Sequence, residues 1–409
     1  MALKQLLIGC PSGGKMEVFN AHLDKLACAE VHVFHRSCAA FQFCGCIGLA
    51  LAIILAMTLV GHAGLSYWVM AGNVGTAIAT FLGLVMATKI ITGEERIIYY
   101  HHEIAVMLMA ALCLWTIRRP LLPYLDSTIL GIGLFLSCGR IGCLTVGCCH
   151  GRPHRWGIRY REEHAAAGFP SYLVGVRLFP IQAVESLWVL GMVVVGAFFV
   201  WSGWQPGSAL AWYIVTYDTG RFAFEFARGD ADRPYWLGFS QAQWLSLVLT
   251  GGVVCAERAG VAPFSRWHLS VFALLAATMI AVSIKRRFQA TPTFRLLQPR
   301  HFHQFANAVK IVCGPAARSA AGPDAGLTFV SLASTSLGVQ LSGSEVECGA
   351  ERLRHFTLSS AREPMTESTA RSLAGLIRRL VGAVGPDELI AGPHGLFHLL
   401  IRVPEVMKP

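Results

Sequence analysis

The residue that most constrains the chemistry of this chain is an arginine inside an apolar run. Arg140 lies in Gly139-Arg140-Ile141-Gly142-Cys143-Leu144-Thr145-Val146-Gly147-Cys148-Cys149-His150-Gly151-Arg152-Pro153. A charge at membrane depth costs at least ~2.5–3.5 kcal/mol on insertion scales, so it should face an interior partner or a polar cavity. Snorkelling to the interface is the plainer alternative for a residue near a helix end. The glycines around it suit close backbone approach, between helices or to a ligand.

Three further sets carry polar chemistry. In Tyr217-Asp218-Thr219-Gly220-Arg221-Phe222-Ala223-Phe224-Glu225-Phe226-Ala227-Arg228, the residues Tyr217, Arg221, Glu225 and Arg228 recur at helical spacing. They line one helix face, and Arg221–Glu225 and Glu225–Arg228 are spaced to pair. In water such a stripe is an ordinary self-neutralising surface; in an apolar segment it reads as a cavity lining. Tyr99-Tyr100-His101-His102-Glu103 offers imidazole, the side chain best suited to proton transfer near neutral pH, or else a belt of interfacial rings. Phe179-Pro180-Ile181-Gln182-Ala183-Val184-Glu185-Ser186 puts Gln182 and Glu185 on one face.

Arginines, histidine and carboxylates beside an apolar phase suit a phospholipid headgroup, because guanidinium forks bind phosphate oxygens in pairs. The diacyl tails could then stay in the bilayer while the headgroup reacts. Metal binding competes for the first segment. Cys143, Cys148, Cys149 and His150, with His154 nearby, have ligand-competent side chains, but C-x4-C-C-H is not a standard zinc spacing. A disulfide from Cys143 to Cys148 or Cys149 is the other use of these thiols on an oxidising face. No metal or other cofactor is expected.

The elements that must position these groups follow from composition. Of 409 residues, 54% are hydrophobic and 14% charged, against about 45–50% and about 25% in soluble domains. Lipid explains the shift. Apolar runs of spanning length are expected at Phe41–Gly61, Tyr67–Ile91, Glu103–Ile117, Ser127–Cys149, Phe179–Trp201, Pro206–Ala227, Phe239–Ala256 and Leu269–Ile284. Trp68, Trp201, Trp236 and Trp267 sit near their ends, as aromatic belts do. The thirteen cysteines include Cys44, Cys46, Cys113 and Cys255 within these runs, where they read as small apolar residues. The net charge of +10 fits loops on anionic lipid; no basic stripe with interleaved aromatics points to nucleic acid. Residues 1–40 are too polar for a signal peptide, and Leu7-Ile8-Gly9-Cys10 matches a lipoprotein cleavage box by chance, its apolar run being too short.

The expected fold is an all-α polytopic membrane protein of about seven to eight transmembrane helices with a small C-terminal soluble α+β domain. The division is an N-terminal extension (1–40), a membrane domain (41–287) and a C-terminal domain (288–409) of unassigned role. In the last, Gly326–Leu332 and Leu396–Val403 read as strands and Glu367–Val384 as an amphipathic helix. With eight spans, helix parity places on one side Gly93–His102, Gly147–Leu178, Tyr217–Arg233 and both termini. The four chemical sets therefore converge.

At this point the residues resemble the prolipoprotein diacylglyceryl transferase family. Gly139-Arg140-Ile141-Gly142 followed by Gly147 and Gly151 looks like its signature. Tyr217, Arg221, Glu225 and Arg228, then Phe239-Ser240-Gln241-Ala242-Gln243, look like its later arginine motif and following helix. Pro180 to Glu185 looks like its HPxQLYE element, and His101 falls where the family has its essential histidine, with His102 one step away. The resemblance runs from about Gly93 to Ala256. It implies transfer of the diacylglyceryl group of phosphatidylglycerol to a cysteine thiol of a lipoprotein precursor, giving a thioether and glycerol phosphate, in the bacterial cytoplasmic (inner) membrane.

On that resemblance, Arg140 and Arg221 hold the phosphate and His101, or His102, assists thiol deprotonation, since the thiolate is the nucleophile. Gly139, Gly142, Cys143, Gly151, Gln182, Glu185, Tyr217, Glu225 and Arg228 line the substrate. The family has asparagine where this chain has Cys143, an acidic residue where it has Cys148, histidine where it has Phe179 and tyrosine where it has Val184. These departures fall where the acceptor would be recognised: a same-fold enzyme using a phospholipid donor with another acceptor is the second reading. A lipid or small-molecule transporter is the third, but it would show Gly- or Pro-broken helix pairs in matching halves, which are not seen. The resemblance puts the motif face outside the membrane, whereas Arg152, Arg155, Arg159, Arg161, Arg228, Arg233 and Lys285–Arg287 outnumber Arg118, Arg119, Arg258 and Arg266 and by the positive-inside rule put it inside. Functional arginines bias that count, so the family topology is expected.

Overall fold

The structure is a computed structural model of the chain. It describes residues 13–33, 36–93, 99–230, 234–288, 298–313, 331–348, 351–383 and 387–402. The Leu7–Cys10 tetrad, residues 94–98 of the loop before the third expected span, Arg233, and residues 326–330 of the first expected strand lie outside the described residues.

Helices stand at all eight expected positions: α2 (Ala40–His62), α3 (Tyr67–Thr92), α4 (Tyr99–Thr116), α5 (Leu121–Val146), α7 (Ile181–Trp201), α8 (Ser208–Phe224), α9 (Gln241–Arg258) and α10 (Arg266–Phe288). Five of them, α2, α3, α5, α7 and α10, are long and apolar enough to cross a membrane. Two of the other three carry polar groups of the site: α4 opens on Tyr100, His101 and His102, and α8 contains Asp218 and Arg221.

Local chemistry sets the ends. Gly147 takes the left-handed conformation after α5, with φ 85°, and donates its N–H to the Cys143 carbonyl; glycine adopts this cap without steric cost. Ser240 and Gln243 form a reciprocal capping box that starts α9. Among the five apolar helices, α5 is the most buried and α3 the least. α5 packs on α2, α4, α7 and α8, so its polar end is held at the centre of the bundle.

Before the bundle come α1 (Gly13–Asp24) and a hairpin of β1 (Glu30–Val33) and β2 (Arg36–Ala39). The loop after α5 folds back through β3 (Pro153–Arg159), a short α6 (Glu162–Ala166) and β4 (Arg177–Leu178). A two-residue hairpin, β5 (Tyr235–Trp236) and β6 (Phe239–Ser240), precedes α9.

The C-terminal part is an α+β unit. Five antiparallel strands run in the order β10-β11-β9-β8-β7, with β7 Ser331–Ser334, β8 Val339–Cys348, β9 Glu351–Ser360, β10 Asp387–Ala391 and β11 Phe397–Arg402. Leu341, Phe356, Leu358, Phe397, Leu399 and Ile401 alternate inward, as the period of two requires. Two amphipathic helices, α11 (Pro299–Cys313) and α12 (Glu367–Val381), cover that face. The expected helix 367–384 ends early because Gly382 caps it with φ 65°. The sequence reading missed α11, β10 and the β8–β9 hairpin.

This unit does not stand apart. Its core continues through Ile158, Tyr160, Leu173 and Leu178 of the loop after α5. Lys310 donates to the Ser171 carbonyl, and Arg379 Nη1 reaches the Pro153 carbonyl at 3.4 Å. The N-terminal segment grips the same loop: Asn20 accepts from the Gly157 N–H at 2.9 Å, and Asp24 pairs with Arg177 at 3.1 Å.

Candidate active site

The site is built where the ends of α5, α7 and α8 meet. Glu185, buried on the first turns of α7, is its hub. Its Oε2 lies 2.7 Å from Arg140 Nε of α5. Its Oε1 accepts from Arg221 Nη1 of α8 at 3.0 Å and from Arg228 Nη1 at 3.3 Å. Arg221 also pairs with Glu225 at 2.6 Å, the i,i+4 contact expected from the sequence. α8 stops at Phe224, so Arg228 sits in the turn that follows and forks onto Asp230 through Nε at 3.0 Å and Nη2 at 3.2 Å. Three guanidinium groups thus crowd into one buried cluster. Among the described residues, Arg140 makes its only protein polar contact through Nε. Both of its Nη groups are left as donors for a ligand.

The cysteine segment lies against this cluster. Gln182, one turn before Glu185, donates its amide to the Cys148 carbonyl at 2.9 Å. The turn is stitched to the end of α8 by backbone bonds, Gly229 N–H to the His150 carbonyl at 2.9 Å and Arg152 N–H to the Ala227 carbonyl at 3.2 Å. Gly151 is required here, since a Cβ would stand 2.4 Å from the Phe179 carbonyl oxygen. Gly142 lets α5 approach α2, where a Cβ would meet Cys44 at 3.1 Å. Gly139 is different: a Cβ there meets nothing within 4 Å, so packing does not explain it.

Cys143, Cys148 and Cys149 bring their sulfurs within 4.8 Å of one another, all as free thiols. The Cys143 and Cys148 thiols, hydrogen-bonded to Cys149 sulfur, and then Arg228 and Arg140 hold the Cys149 thiol well below its ordinary value. His150 does not join the trio. It turns its Nδ1 to the Gly151 carbonyl at 2.9 Å and its ring to Phe169 and His303; burial pushes it below the usual imidazole value. His154 turns to Trp156 and Phe179.

The paired histidines diverge. His101 is exposed, with Nε2 at 3.1 Å from the Gln241 amide nitrogen of α9. His102 is buried, its ring 5.0 Å from that of Phe81. There it lines an apolar cavity of about 630 Å³ between α2, α3, α4 and α5. Glu103 lines the same cavity, and Tyr100 of the same helix sets its ring 5.7 Å from that of Tyr217, one turn before Arg221 on α8. The cavity and the polar cluster therefore adjoin.

Several residues of the site were not singled out in advance. Tyr100 donates to Asp218 Oδ1 at 3.1 Å, and Thr250 donates to Oδ2 at 3.4 Å; a carboxylate in an apolar segment was the available signal. Asp230 was signalled by its place two residues after Arg228. His303, which reaches the Gly229 carbonyl and Tyr172, each at 2.6 Å, arrives from the C-terminal unit and had none.

Fold and site define a polytopic helical membrane protein with a cluster of arginines beside an apolar cavity. The chain belongs to the prolipoprotein diacylglyceryl transferase family, which it matches over residues 41–256. It is 31% identical over 150 residues to a phosphatidylglycerol–prolipoprotein diacylglyceryl transferase 2 of Clostridium perfringens, covering 35% of this chain and 55% of that protein. It is 33% identical over 125 residues to a phosphatidylglycerol–prolipoprotein diacylglyceryl transferase of Dehalococcoides mccartyi, covering 31% and 46%. The corresponding Clostridium tetani protein is 30% identical over 114 residues, covering 27% and 42%. The chain spans about half the length of these relatives.

Proposed function

We propose that this protein transfers the diacylglyceryl group of phosphatidylglycerol to a cysteine thiol of a lipoprotein precursor. The observation that carries this reading is the convergence of Arg140, Arg221 and Arg228 on Glu185, with the Arg140 Nη groups open to a ligand. A phosphodiester fits them, since guanidinium donors pair with phosphate oxygens. The apolar cavity beside Glu103 suits an acyl chain.

The acceptor thiolate attacks the glyceryl carbon that bears the phosphate. A C–S bond forms, the C–O bond breaks, and glycerol phosphate leaves with the electron pair on oxygen. Arg140, Arg221 and Arg228 stabilise the charge that grows there. His101 is exposed and, on this reading, takes the thiol proton, while Tyr217 and Glu225 orient the arginines. Gly139 lies open for a close-approaching ligand. The test is rescue of a bacterium that lacks its own transferase. Wild type should rescue, and Arg140→Ala and Arg221→Ala should not; rescue by the double variant would sink the reading.

A second reading keeps the donor and changes the acceptor. It is favoured by Cys143 and Cys148, which stand where the family has asparagine and an acidic residue. A new modified lipid in extracts, with lipoproteins unmodified, would select it.

The contacts also support eight crossings of the bacterial cytoplasmic membrane. The N-terminal segment and the C-terminal unit both touch the loop between α5 and α7. Each is separated from that loop by four helices, α2 to α5 and α7 to α10, and a shared side requires an even number of crossings. We put the motif face outside on the family resemblance alone.

A further inference from the structure

We propose that Cys143, Cys148 and Cys149 hold a zinc ion whose fourth position receives the acceptor thiol. The inference rests on the transferase reading for its role but on sulfur geometry for the site.

Three features support it. The first is distance. Zinc bonds thiolate sulfur at about 2.3 Å, which sets tetrahedral sulfurs about 3.8 Å apart. The three Sγ atoms already lie within 4.8 Å of one another, so small side-chain movements complete the site. The second is ligand count. Catalytic zinc keeps three protein ligands and one open position, whereas structural zinc takes four. His150 and His154 face elsewhere, and the cluster among the described residues stops at three. Cys143 is buried and Cys148 exposed, so the open position has a route to the outside.

The third is charge. A zinc ion with three thiolates carries a net charge of minus one, and a fourth thiolate makes it minus two. Arg140 stands three residues before Cys143 on α5, and the backbone of Arg228 is bridged to Gly151, two residues past Cys149. Arg140 thus serves the sulfur cluster and the phosphate position together. That juxtaposition is what the alkylation needs, because the attacked carbon is bonded to the phosphate oxygen.

The step balances without a further reagent. The acceptor thiol binds zinc and loses its proton to the base of the reaction, for which His101 is the candidate. The zinc-bound sulfur, deprotonated by coordination, forms the C–S bond as the C–O bond breaks. Glycerol phosphate leaves, and the neutral thioether, a weak ligand, departs from the metal. The metal so supplies the activation for which this chain lacks the family's asparagine and acidic residue.

The test uses full-length protein in detergent, reduced and loaded with Co²⁺ as a spectroscopic substitute. Wild type and the Cys138→Ser control should bind one ion and show thiolate-to-cobalt charge transfer. Cys143→Ser, Cys148→Ser and Cys149→Ser should each weaken binding by at least ~100-fold, beyond the ~10–100-fold of a lost supporting partner. A synthetic peptide with one cysteine should raise the charge-transfer absorbance, and its serine analogue should not. No charge transfer in wild type, a band that ignores the cysteine peptide, or two thiols missing as a disulfide before reduction would each overturn the proposal. Failure of the transferase reading shows separately, as a cobalt response to peptide with no thioether product.

Discussion

Gln182 and Glu185 stand one turn apart on α7 and hold two different parts of the site, the Gln182 amide on the Cys148 carbonyl at 2.9 Å and the Glu185 carboxylate on Arg140 at 2.7 Å. One rigid helix therefore fixes the cysteine turn and the arginine cluster relative to each other. A shift of α7 would disturb both at once, which matters for any reaction between groups held by each.

Glu185→Gln removes the charge that three buried guanidiniums share. Breaking a buried ion pair costs about 3–5 kcal/mol because the partner charge stays behind. The variant should melt well below wild type in detergent and fail to rescue. Glu225→Gln leaves Arg221 its bond to Glu185 and should melt higher than Glu185→Gln. Equal melting of the two would show that Glu185 is not the hub.

The glycines separate folding from ligand contact. Gly151→Ala would place a Cβ 2.4 Å from a backbone oxygen and should lower the melting temperature. Gly139→Ala meets nothing within 4 Å and should melt as wild type. Loss of transfer in Gly139→Ala at unchanged stability would then report on the substrate. A destabilised Gly139→Ala would remove that argument.

The C-terminal sheet should be sensitive to acid. His355 Nε2 lies 2.9 Å from His398 Nδ1. Burial, and then His398, push His355 below the usual imidazole value. The folded state prefers this ring neutral, so the unfolded chain takes up the proton first as pH falls. The contribution is complete above about pH 6.5 and is lost below it. Hydrogen exchange of peptides from β9 and β11 should quicken from about pH 7 to about pH 5 beyond the intrinsic rate change, and His355→Phe should flatten that response. An unchanged response in His355→Phe would clear the pair of any role.

Epitope tags test the eight crossings. Tags at the C-terminus and at Gly168 should be reached by antibody from the same side of the membrane. A tag at Gly203, between α7 and α8, should be reached only from the other. Opposite sidedness for the first two would break the parity argument, and antibody access in intact spheroplasts would settle which face holds the site.

The sequence was most legible where lipid simplifies it. Apolar runs such as Tyr67–Ile91 and Phe179–Trp201 placed the helices within a few residues, because in a bilayer length and hydrophobicity leave few alternatives. Helical spacing put Arg221 with Glu225 and Gln182 with Glu185. Spacing could not show that Arg140, Arg221 and Arg228 share one carboxylate, since that depends on how α5, α7 and α8 pack. The hairpin of β8 and β9 was hidden because Glu345, Glu347, Arg352 and Arg354 break its apolar pattern. In α11, His301, His303, Gln304 and Asn307 masked an apolar stripe. His303 reaches Gly229 across 74 residues, a distance no local pattern reports.

The core shared by the loop after α5 and the C-terminal unit sets an order in time. Ile158, Leu173 and Leu178 are made well before Phe302, Leu373 and Leu399, with which they share one core. Until then the loop that carries the cysteines has an unfinished interior. A ribosome that stops after α10 leaves the helices α2 to α10 made but the loop that carries the cysteines without its packing partners, so the site is completed only once the C-terminal unit has followed.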